Sequence, residues 1–88
     1  MLTLPATLTY RQALDVRQAL KAQINAQPAV VMDASALTQF DSSALAVMLA
    51  CRRQAVVAGK TFAVHGLSEK LTQLADLYGV TELLLARA

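Results

Sequence analysis

Apolar residues at Ala13, Val16, Leu20 and Ile24 recur at helical spacing, so the stretch they span is predicted to bury one stripe of an amphipathic helix. Thr9-Tyr10-Arg11-Gln12 opens it. Thr and Gln stand three apart there and fit a capping box, and Gln27-Pro28 ends the helix. The spacing then changes. Ala29-Val30-Val31-Met32 is apolar without a break and closes on Asp33, which predicts a short strand covered on both faces, as in parallel sheets. Thr61 to Val64 reads as a second buried strand, and His65-Gly66 turns out of it. Leu2-Thr3-Leu4 alternates and stops at Pro5, predicting a strand stub.

A second helix is predicted from Ser42 to Ala58, stopped by Gly59. Ser68 caps a third, with Glu69 in its first turn, a buried stripe of Leu71, Leu74, Ala75 and Tyr78, and Gly79 at its end. Leu83-Leu84-Leu85 fits either a last strand or a last helical turn. Strand and helix thus alternate three times. Helix-length crossovers between buried strands predict an α/β fold, a mostly parallel sheet with about three helices and right-handed connections. A functional surface on such a sheet lies beyond the carboxyl ends of its strands.

Composition narrows the classes. The 88 residues leave room for one domain, 1–88. Hydrophobic residues make up 56%, led by 17 Ala and 15 Leu, so the chain buries a core instead of staying disordered. Net charge is +2 with no basic run of three, which argues against nucleic acid as a partner. Cys51 is the single cysteine, so neither an internal disulfide nor a cysteine-based zinc site is expected. The longest apolar run, Ala44 to Cys51, falls far short of the roughly 20 residues that span a bilayer. Met1 to Pro5 lacks the features of a signal peptide, which gives a cytoplasmic expectation without membrane insertion.

The candidate site is Gln39-Phe40-Asp41-Ser42-Ser43. Asp41 is a good N-cap, and Phe40 and Leu45 stand at the two positions of a hydrophobic staple. Ser42 becomes the first helical residue, its hydroxyl near unpaired N–H groups and the positive end of the helix dipole. A phosphate there adds a charge of about −1.5 to −2 where that field favours it. Alone, Asp-Ser-Ser before an apolar run is an ordinary capping sequence.

Its surroundings say more. The ungapped stretch from Val30 to Leu45 (VVMDASALTQFDSSAL) resembles the central segment of STAS domains: a hydrophobic strand, an acid, a Leu, then Asp-Ser and a small residue entering a helix. Gly66-Leu67-Ser68-Glu69-Lys70-Leu71 and Leu74-Ala75-Asp76-Leu77-Tyr78 look like the third-helix region of the branch found in bacterial lipid-asymmetry transporters. The resemblance runs roughly from Leu2 to Val80. It implies a non-catalytic, cofactor-free binding module. In that branch the surface around the Ser42 position docks on the cytoplasmic ATPase subunit of a phospholipid-transporting ABC transporter, at the inner membrane. In the anti-sigma factor antagonists the Ser at that position is a phosphoacceptor whose partner is an anti-sigma factor kinase.

Three departures accompany the likeness. The first strand usual in the family is missing, leaving a sheet edge that a second copy can cover in a homodimer. Ala6-Thr7 replaces the usual Gly-Glu, and Ala44 stands where antagonists usually have Gly, which alters how closely a partner backbone approaches.

Other residues read as structural. His65 has no second ligand at metal spacing and suits a turn. Asp33 suits bonding of loop N–H groups, and Cys51 an inert buried thiol. Arg52-Arg53 suit the C-terminal half of their helix, solvent or an acidic partner, and Ala46, Ala50 and Ala58 allow close approach by sheet or partner. The three glycines, at 59, 66 and 79, form no phosphate loop. A phosphopantetheine carrier shares Asp-Ser, but its Leu would stand two positions before Leu45, and carriers are all-helical and acidic.

Overall fold

The computed structural model describes residues 1–84. In chain order it contains β1 (Leu2–Thr3), β2 (Thr7–Leu8), α1 (Ala13–Ala26), β3 (Val30–Asp33), β4 (Gln39–Phe40), α2 (Ser42–Val57), β5 (Phe62–His65), α3 (Glu69–Leu77) and α4 (Thr81–Leu84). Every strand pair is parallel. The main sheet runs β1-β3-β5, with Leu2 opposite Met32 and Met32 opposite Val64, and a second, two-stranded ladder joins β2 to β4. The fold is therefore the expected small α/β arrangement. Its parallel strands are incompatible with the all-helical carrier alternative.

Helix starts follow local chemistry. Asp41 caps α2 through the N–H of Ser43, at 2.8 Å, and Ser68 caps α3 through the N–H of Leu71, at 3.1 Å. Gly59 and Gly79, at φ +73° and +69°, end α2 and α3 in the left-handed conformation that glycine adopts without a Cβ penalty. The capping box before α1 forms only in part. The Gln12 side chain accepts from the Thr9 N–H at 2.9 Å, but the Thr9 hydroxyl accepts from the Arg11 N–H at 3.3 Å, and the Gln12 N–H bonds the Thr9 carbonyl instead. Thr9–Gln12 thus closes a separate turn, and the regular helix begins only at Ala13.

One core cluster holds the layers together. Leu2, Val30, Met32 and Val64 from the sheet meet Leu20 and Ile24 of α1, Leu45, Met48, Cys51 and Ala55 of α2, Leu71 and Ala75 of α3, and Leu84 of α4. Each large aliphatic side chain so buried contributes about 1.5–3 kcal/mol relative to exposure.

Two expectations about burial are corrected. β3 is covered on one face only: Val30 and Met32 are buried, while Val31 is half-buried, as is Ala63 beside it on β5. The helices share a core with just one side of this three-stranded sheet, so the continuous apolar run overstated its burial. Tyr78, expected on the α3 stripe, is 57% exposed, while Leu84 of α4 is fully buried. Of the Leu83–Leu85 segment, Leu83 and Leu84 belong to the single turn of α4, and Leu85 lies outside the described residues. β1 has a neighbour on one side only, so its outer edge is unpaired among the described residues.

Candidate protein-interaction site

Two parallel bridges place the segment 39–43 at the mouth of the fold. Thr7 pairs with Gln39 and Leu8 with Phe40, and the carbonyl of Ala6 accepts from the N–H groups of Thr38 and Gln39 at 2.9 and 3.0 Å. This small ladder went unread in the sequence, because two-residue strands carry no period. It ties the segment before α2 to the segment before α1, with Leu8 wholly buried beneath it.

Asp41 completes the tie. One carboxylate oxygen accepts the Ser43 N–H at 2.8 Å, and the other accepts the Tyr10 N–H at 3.1 Å. Burial pushes this carboxyl up, but the donors from Ser43 and Tyr10 outweigh it and hold its pKa below the usual 3.8. A cap for α2 is thus also a brace between two loops, and Tyr10 enters the site through it. Tyr10 is 68% exposed, and the Arg11 guanidinium stacks on its ring with 5.7 Å to the centroid. Both were missed in the sequence, where Tyr10 and Arg11 looked like spacer residues inside the capping box.

The two serines divide their work. Ser43 is half-buried, and its N–H serves Asp41. Ser42 is exposed at the first position of α2, and its hydroxyl has no hydrogen-bond partner among the described residues. It is the free polar group at a helix N-terminus, outward and reachable. Gln39 is exposed, meeting the Thr7 hydroxyl at 3.1 Å. Phe40 is half-buried and packs against the core cluster, with part of its surface left outward.

Ala44 is corrected. It is fully buried, so its methyl group points into the domain and does not alter a partner's approach. Of Ala46, Ala50 and Ala58, the first and last are exposed and Ala50 is half-buried, so none of the three is buried against the sheet.

At the neighbouring strand ends, Asp33 accepts the Ser35 N–H at 2.9 Å. The Ser35 hydroxyl and N–H, with His65 as a weaker contributor, lower its pKa. Gly66 packs against this turn at φ +76°; a Cβ there would stand 2.9 Å from both the Cβ and the backbone nitrogen of Ser35. Cys51 is buried, and burial raises its thiol pKa to about 11 despite the nearby charge of Arg17. No group of three or more His, Cys, Asp or Glu side chains is placed to hold a metal ion among the described residues.

A parallel α/β sheet with an Asp-capped helix fits the fold that the sequence resemblance implied. The family model described as "Mlab, STAS domain" matches residues 1–86. The chain belongs to the STAS domain family. The comparison with curated proteins gave no match. As a STAS domain it is an interaction module of a generally non-catalytic family. Among the described residues, no helix is long and apolar enough to cross a membrane.

Proposed function

We propose that this STAS domain binds and supports the cytoplasmic ATPase subunit of a phospholipid-transporting ABC transporter, at the inner membrane and without catalysis of its own. The observation that carries the reading is Ser42: a hydroxyl without an internal partner, exposed at the start of α2 and held in place by the doubly bonded Asp41. The match to the family model described as "Mlab, STAS domain" supports the transporter branch over the kinase-linked one.

In this reading Gln39, the outer part of Phe40, Ser42 and Ser43 contact the ATPase, and Tyr10 lies beside them. Asp41 acts indirectly, by fixing the loop. Ser42 supplies a hydrogen bond across the interface, worth about 0.5–1.5 kcal/mol net. Phosphorylation of Ser42 would bring a doubly charged group into a dry contact, where desolvation releases the partner.

The test is affinity purification of the tagged protein from detergent-solubilised membranes, with captured proteins identified by mass spectrometry. Co-purification of an ABC ATPase with its membrane subunit, lost with Ser42→Glu, is the expected result. Recovery of a serine kinase without ABC subunits would replace this reading with that of an anti-sigma factor antagonist switched at Ser42.

A further inference from the structure

Beyond Ser43, a continuous groove runs between the outer faces of α1 and α2 and on across α2 to Leu83 of α4. Leu14, Arg17 and Lys21 border it from α1, and Ala46, Ala50 and Arg53 from α2. It consists of adjoining cavities of about 690, 350 and 290 Å³, and Arg17 and Ala50 belong to all three. Apolar surface is left uncovered along it: Leu14 is 64% exposed and Val57 83%. Isolated apolar residues on a surface are ordinary, but a trough of them under charged neighbours marks an interaction surface.

The charges are of one sign. Arg17, Lys21, Arg52 and Arg53 line the groove, and no Asp or Glu does. None of these four cations meets a carboxylate among the described residues. The whole chain carries +2, so with four positive charges gathered here the remainder carries a net −2. Folding gains nothing from such segregation, since like charges on one face repel. Recognition of an acidic surface does gain from it.

We propose that this groove seats an acidic amphipathic helix of a partner protein. A trough between two packed helices receives a third helix, whose apolar stripe covers Leu14, Ala50 and Val57 while its flanking carboxylates reach Arg17, Lys21, Arg52 and Arg53. Arginine suits that role, because its fork takes a carboxylate in two hydrogen bonds. The concave floor, with Ala46 and Ala50 between flanking side chains, favours a helix over a flat anionic bilayer. One end of the groove reaches Ser43, so the inference deepens the reading above and rests on it for the partner's position.

The test uses a fluorescently labelled peptide about as long as α2, with Leu at helical spacing between flanking Glu residues, titrated into the purified protein by anisotropy. Binding is expected to weaken at least about tenfold with Arg17→Glu/Arg53→Glu, to weaken similarly for a scrambled peptide of equal composition, and to fall with added salt. Both arginines are outside the core, so thermal melting should confirm that the variant remains folded. A Leu14→Ser/Val57→Ser variant, which keeps every charge, should also weaken binding. Equal affinity for the scrambled peptide, or no effect of charge reversal, overturns the proposal. Flotation with phosphatidylglycerol vesicles in the absence of peptide binding overturns it in favour of a membrane surface. The two readings separate cleanly: ATPase capture that survives Arg17→Glu/Arg53→Glu but not Ser42→Glu sinks the groove alone, and peptide binding without ATPase capture sinks the earlier reading alone.

Discussion

Replacing Ser42 by Glu separates recognition from folding. Ser42 is exposed, and its hydroxyl bonds nothing among the described residues, so the substitution removes no internal contact. A carboxylate in the first turn of α2 gains roughly 0.3–1 kcal/mol from the helix dipole. The neighbouring Asp41 carboxylate opposes that gain. The net change in stability should stay within about 0.5 kcal/mol, or roughly 2–4 °C in melting temperature for a domain of this size. Binding responds on another scale. A charge carried into a dry interface without a partner costs several kcal/mol, and 2 kcal/mol is already about thirtyfold in Kd. Ser42→Ala is the comparison, because it removes one hydrogen bond and adds no charge. It should weaken binding by no more than roughly tenfold. Calorimetry against the purified ATPase, with differential scanning fluorimetry on the same samples, reads both quantities. Unchanged affinity with Ser42→Glu would remove Ser42 from the contact. A fall in melting temperature well beyond the stated range would show that the hydroxyl serves the fold.

Asp41→Ala removes the α2 cap and the bond to Tyr10 together, and should lower the melting temperature by about 4–8 °C, read by circular dichroism. Because the carboxyl pKa values of Asp33 and Asp41 are lowered in the folded protein, their stabilisation is complete above the unfolded value near 3.8 and is lost as pH falls through the lowered folded values. Acid titration should therefore show Asp33→Asn/Asp41→Asn losing less stability than the parent below about pH 4; parallel curves would contradict this assignment. Gly66→Ala should destabilise by about 2–4 kcal/mol in urea unfolding, against about 1 kcal/mol for Gly79→Ala, since both have positive φ but only Gly66 abuts Ser35. Cys51 should resist a thiol reagent at pH 8 until the chain is unfolded, because burial raises its pKa to about 11; fast native labelling would show that the α2 core opens.

Much of the scaffold could be read from residues whose effects are local. Asp41, Ser68, Gly59 and Gly79 act through the backbone of their own turn, and all four work in the structure as their identities implied. Burial was harder to read. An unbroken apolar run such as Ala29–Met32 shows that a segment prefers a strand, but it does not say how many layers surround the sheet. Val31 is apolar in sequence and half-buried in fact. Tyr78 erred for a similar reason: its spacing fitted the α3 stripe, and only tertiary packing decides that it stays exposed. The β2–β4 ladder was invisible because its pairing depends on residues about thirty positions apart, with only two from each strand.

That hidden ladder bears on which serine faces outward. From sequence, Ser42 is singled out over Ser43 by its place as the first helical residue and by the family resemblance. The structure supplies an independent physical distinction. An N-cap carboxylate ordinarily accepts from one N–H of its own helix, and nothing then fixes its second oxygen. Here the β2–β4 pairing brings the Tyr10 N–H against that oxygen, so the Asp41 carboxylate is bonded on both sides and its orientation is set by two loops. A fixed Asp41 holds the N–H of the half-buried Ser43, which leaves Ser42 as the exposed serine, its hydroxyl bonded to nothing among the described residues. It follows that Leu8, wholly buried under the ladder and remote from any partner, should act as a positioning residue. Leu8→Ala should loosen the tie between the two loops and weaken ATPase binding even at temperatures well below its own unfolding transition. Hydrogen exchange at the Tyr10 and Ser43 amides is the readout that a general loss of stability would not mimic. Faster exchange at those two amides, with α3 amides unchanged, is the expected result; uniform acceleration across the protein would assign Leu8 to the core alone.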